Sequence, residues 1–187
     1  HSMYGKEAEA VNQEELQLYE AFGYYATEEL FWSLVYLNNA AFHTPLKEDS
    51  KNKLISLNKT YATIISGIYP MDKCHDLVTA MANHNQLFVQ YVETLMQGDS
   101  QTNVIRQKWK ENGLKIANIL NRMNPYWKVA EWSAMIGHEA DLLESIATSL
   151  KIKNYTTFVN IVPICHRLAV DMCQYMCTGI ANQGQRT

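Results

Sequence analysis

Proline and glycine are scarce in this chain, with four prolines and eight glycines among 187 residues. Most fall between periodic segments rather than inside them, which excludes a fold of many short strands joined by tight turns and favours long helices. Cysteine is equally sparse. Cys74, Cys165, Cys173 and Cys177 form neither a CxxC pair nor the framework of a small disulfide scaffold, so free, buried thiols are expected. Free thiols favour a reducing, cytoplasmic address. No apolar run approaches the roughly 18 residues of a membrane span. Charge of one sign is lacking too: the net charge is −3, from 16 Lys and Arg against 19 Asp and Glu, leaving no electrostatic footprint for nucleic acid or an anionic membrane. Also missing are a GxxxxGK[ST] loop, a GxGxxG turn, a GxSxG elbow, an HExxH pair and the Glu-x-x-His of di-iron bundles. His1, Ser2 and Met3 resemble a tag remnant ahead of a polar leader that extends to residue 11. Had a longer leader been trimmed there, the protein would be exported or anchored.

What the chain does have is helical periodicity almost throughout. The organising stretch is Lys128 to Leu150, where Val129, Trp132, Met135, Ile136, Leu142, Leu143 and Ile146 recur at helical spacings, with His138 on or beside the stripe. Asn12 is expected to cap a first helix reaching Phe42, with Leu16, Tyr19, Phe22, Ala26, Leu30, Leu34 and Leu37 on its inner face. Further helices are expected over Lys47 to Ile68, from an Asp72 cap to Gly98, from Asp99 or Ser100 to Met123, and from Tyr155 to Ala181. Pro163 should kink the last of these or delay its start. Connections this short join antiparallel neighbours. The expected fold is therefore all-α: one up-and-down antiparallel bundle of about six helices, four or five of them long, forming a single domain over residues 12–183.

Chemistry can enter through three histidines. His84, His138 and His166 each lie on or near the apolar stripe of a different helix, and three imidazoles converging in a bundle make an open site for a divalent transition metal such as Zn or Fe. Glu20, Glu139 and Asp171 are the candidate further ligands or orienting partners. A second set, His166, Cys173 and Cys177, is too spread along one helix for a single ion, since seven residues span about 10 Å. Against this stands the simpler expectation that a core histidine only satisfies a hydrogen bond to a neighbouring helix. Three functions remain in play. One is a metal or small-ligand site at the histidines, another a structural or interaction bundle without metal or catalysis, and the third a metal-dependent hydrolase or transferase. Homo-oligomerisation is left open.

From Trp109 onward the residues resemble a family of uncharacterised helical proteins common in Firmicutes. The shared pattern runs W-x-x-N-x-x-x-I-A-x-x-L-x-x-x-N-P-x-W, matched by Trp109, Asn112, Ile116, Ala117, Leu120, Asn124, Pro125 and Trp127. It continues with one histidine per core helix, at His84, His138 and His166, and a closing G-I-x-x-Q at Gly179, Ile180 and Gln183. The resemblance implies a helical bundle with a histidine and carboxylate site. This chain departs from it at Phe22, where the family has a histidine, and at Asn83, Gly137 and Cys165, where it has acids. Some members carry an acetylglutamate kinase label, a chemistry that needs an α/β fold and a glycine-rich phosphate site. Neither is present.

Overall fold

The computed structural model describes residues 13–184, all of the long segments. The Asn12 cap, the leader and residues 185–187 lie outside the described residues. Six helices follow one another: α1 (Gln13–Phe42), α2 (Lys47–Ser66), α3 (Met71–Gln97), α4 (Thr102–Met123), α5 (Val129–Lys151) and α6 (Tyr155–Gly184). Among the described residues there is no strand. The all-α bundle is what the periodicity demanded.

The helix ends show how the breaks work. α3 starts at Met71 behind Pro70, whose carbonyl accepts the N–H groups of Lys73 and Cys74. Asp72, expected as the cap, instead lies in the first turn, where its charge opposes the helix dipole. Gly98 ends α3 in the left-handed conformation, φ 67°, and Asp99 N–H returns to Thr94 O at 2.9 Å. α4 opens at Thr102, later than expected, because Asp99 spends its carboxylate on the Gln101 N–H of the turn. Pro163 neither delays nor interrupts α6. Proline deprives only Val159 O of its helical donor, and both residues are exposed, so water can take its place.

Each helix packs against the next, and α6 returns to α1, so the six close into a ring. Across the ring α1, α3 and α5 also touch one another. Burial follows the expected stripes on α3 and α5, but the stripe on α1 is displaced. Leu16 and Tyr19 are exposed, and the buried residues of α1 are Phe22, Tyr25, Ser33, Tyr36, Leu37 and Ala40. Among the described residues no helix is long and apolar enough to cross a membrane.

One corner is tied by hydrogen bonds. In the turn between α4 and α5, the Asn124 amide donates to Tyr69 Oη at 3.0 Å and to Gly179 O at 2.9 Å, while its Oδ1 accepts Tyr126 N–H. The Trp127 indole, fully buried, donates to Met176 O at 3.1 Å. Tyr69 Oη donates in turn to Gln183 Oε1 at 2.7 Å. The Asn-Pro-x-Trp turn and the Gly-Ile-x-x-Gln end of α6 therefore form one clasp.

Candidate functional site: a cavity at the centre of the ring

A cavity of about 130 Å³ lies at the centre of the ring and is lined by all six helices. Its wall is mainly apolar, with Leu30, Met81, Ile136 and Met176 among the lining residues. Four aromatic side chains, Phe22, Tyr25, Tyr61 and Trp132, contribute to it. Their rings interlock: Tyr61 sits 4.9 Å from Tyr25 and 6.1 Å from Phe22, centroid to centroid, in tilted contacts. A volume of this size compares with the roughly 150 Å³ that accommodates benzene in an apolar core.

Two polar atoms in this wall lack partners. Tyr61 Oη and Trp132 Nε1, in residues only 2% and 3% exposed, make no hydrogen bond among the described residues. Such atoms forfeit their hydration without recompense, typically at a cost of about 1–3 kcal/mol each.

Two carboxylates complete the lining, Glu29 from α1 and Glu139 from α5. Burial raises the Glu139 carboxyl, and the neighbouring Glu29 charge raises it further, to about 8. Glu29 is also raised by burial, partly opposed by the Tyr25 hydroxyl that bonds it. No lysine or arginine lines the cavity, and neither carboxylate takes part in an ion pair among the described residues. Two like charges held this close share protons, so the pair titrates jointly. Cys165 beside them is pushed up to about 11, by burial and then by the Glu139 charge.

His84 also borders the cavity, but its ring is engaged. Trp109 Nε1 donates to His84 Nε2 at 3.2 Å, which puts the proton of the neutral ring on Nδ1. Asn112 Nδ2 lies 3.2 Å from that protonated Nδ1, a contact between two donors rather than a hydrogen bond; it donates instead to Ala80 O at 2.9 Å, while Asn112 Oδ1 accepts from Asn83 Nδ2 at 3.0 Å. Burial lowers the imidazole to about 4, so it is neutral at pH 7. With the Nε2 lone pair committed to Trp109, His84 has no free lone pair to offer a metal. Trp109 and Asn112, the start of the W-x-x-N pattern, are its holders.

The expected convergence of histidines does not occur. His138 and His166 are exposed, each one residue away from an inward neighbour, Glu139 and Cys165 respectively. One residue turns a helix by about 100°, enough to carry a side chain from the core to the surface. Glu20 is exposed as well, and Asp171 pairs with Arg167 at 3.3 Å on the surface of α6. Of the six residues expected at the site, only His84 and Glu139 share the cavity. Among the described residues no group of three or more His, Cys, Asp or Glu is placed to hold a metal ion. Glu29, Tyr61 and Trp132 were not singled out from the sequence as site residues. Glu29 could have been, since it lies seven residues after Phe22 and four after Tyr25 on α1.

No family model, curated protein or solved structure matches the chain. The cavity therefore has to be interpreted from its own chemistry.

Proposed function

We propose that this chain is a small-ligand-binding bundle, with its ligand seated in the central cavity. The observation that carries the proposal is the pair of unpartnered atoms, Tyr61 Oη and Trp132 Nε1, in the wall of a cavity of about 130 Å³. A core built only for stability would be filled and would bond its polar groups. Apolar walls with a few convergent polar groups are the usual form of a small-molecule site. In this reading His84 is a wall element, held by Trp109 and Asn112, rather than a metal ligand. The resemblance to the Firmicute helical family enters the same proposal, with its W-x-x-N and N-P-x-W residues serving to hold the cavity wall.

The test is direct binding of a benzene-sized neutral probe. Benzyl alcohol should bind saturably by calorimetry and raise the melting temperature in proportion to ligand excess. Ala169→Phe, which places a ring in the cavity wall, should abolish binding while circular dichroism stays helical. Absence of saturable binding to the unmodified protein would overturn the proposal.

A further inference from the structure

We propose that the Glu29 and Glu139 carboxylates make the cavity a receptor for a small organic ammonium ion with an apolar body. The inference rests on the ligand-binding reading above and names the ligand class. Both carboxylates border the same cavity, from the touching helices α1 and α5, and among the described residues no cationic side chain pairs with either of them. Both are half-buried, and Glu29 has only the Tyr25 hydroxyl to bond it; carboxylates drawn out of water are costly and normally found beside a cation. Lining the same cavity are the four aromatic rings of Phe22, Tyr25, Tyr61 and Trp132, and the π faces of such rings attract cations. Carboxylates and aromatic faces together are the chemistry that recognises an ammonium group.

The unpartnered atoms refine the fit. Tyr61 Oη can accept an N–H from the ammonium, and Trp132 Nε1 can donate to an acceptor elsewhere on the ligand. The apolar remainder of the wall suits a hydrocarbon body of about benzene size. A metal ion would use the carboxylates but would leave the aromatic rings and the Trp132 N–H unanswered. An anion would be repelled.

Proton balance follows from the same groups. The titratable groups that share the cavity wall with Glu139 are Glu29 and Tyr25 of α1, Tyr61 of α2, His84 of α3, and Cys165 and Cys173 of α6, while α4 contributes only apolar side chains. At pH 7.5 the carboxyl pair retains a proton that an arriving ammonium displaces to solvent.

The test uses benzylammonium and its neutral counterpart benzyl alcohol, titrated calorimetrically into the full chain at pH 7.5 in two buffers of different ionisation enthalpy. Benzylammonium should bind about tenfold tighter or better, with a heat that depends on the buffer, because a proton is released. In Glu29→Gln/Glu139→Gln the two probes should bind within about twofold of each other, with the alcohol retained. A measurement without variants guards against a folding defect: at pH 5.5, where Glu139 holds its proton in the free protein, the preference should shrink. Equal affinities in the unmodified protein, or a preference that persists in the double variant, would overturn the ammonium assignment and leave the cavity reading standing. Failure of both probes to bind would overturn the cavity reading itself. Tight, stoichiometric Zn²⁺ or Mn²⁺ binding that displaces benzylammonium and is lost in the double variant would overturn the ammonium assignment in favour of a metal.

Discussion

Gly179 is the residue on which the α4–α5 corner closes. A Cβ there would lie 2.1 Å from Trp127 Nε1 and 2.3 Å from its Cδ1, in a place where the indole is fully buried and bonded to Met176 O. The ring cannot withdraw without losing that bond, and Asn124 would lose its contact with Gly179 O as well. Gly179→Ala should therefore destabilise the protein by about 1–3 kcal/mol or more, although alanine is the better helix former. Urea denaturation followed by tryptophan fluorescence checks this, and an unchanged midpoint would show that the clasp yields freely. Residues of this kind were legible in the sequence as a turn, because Asn124 and Pro125 stop a helix, but not as a clasp. Their partners on α6 lie about fifty residues away, and no local pattern encodes that distance. The histidines show the opposite difficulty. His84 was legible as a core residue from its place between Met81 and Phe88, whereas His138 and His166 stand beside the stripes of α5 and α6. There an offset of a single residue decides between core and water.

Helix boundaries were read to within about three residues, because proline and glycine act through backbone geometry that the sequence displays. The buried face of α1 was harder. This helix carries apolar residues around most of its circumference, so periodicity alone admitted Leu16 and Tyr19, and packing chose Tyr25 and Tyr36 instead. Pro163 does not delay the start of α6 for a related reason: its cost depends on where the freed carbonyl points. Here that carbonyl belongs to Val159, which is 63% exposed, and α6 runs on. The orphaned bond is still a local defect. Pro163→Ala should restore it and stabilise the protein by about 1–2 kcal/mol, less than the full helix penalty of proline because the unfolded chain regains freedom. Thermal unfolding by circular dichroism at 222 nm reads the shift. A lower melting temperature would mean that the proline geometry is needed for the packing of α6.

At the scale of the whole molecule, the two titratable groups that α3 and α5 bring to one cavity pull stability in opposite directions with pH. Glu139 holds its proton in the folded protein to about pH 8 but loses it near 4.5 when unfolded. Unfolding therefore releases a proton across that range, and its contribution, complete below pH 4.5, is lost as pH rises to 8. Glu29, raised by the same burial, acts in the same sense. His84 is neutral in the folded protein down to about pH 4, yet protonates near 6.5 when unfolded. Its contribution is complete above pH 6.5 and is lost as pH falls towards 4. Between about 4.5 and 6.5 the single protons of Glu139 and His84 offset each other. Above 6.5 the carboxyls act alone, so stability should fall towards pH 8, each proton contributing a slope of at most about 1.4 kcal/mol per pH unit. Urea midpoints at pH 5.5, 6.5, 7.5 and 8 trace this profile, and Glu139→Gln should flatten its alkaline side. A flat profile in the unmodified protein would mean that Glu139 is solvated or already paired. Because a cation seated beside the carboxylates favours their ionised form, a bound ammonium should also flatten the alkaline fall, whereas a neutral ligand should raise the whole curve and keep its slope.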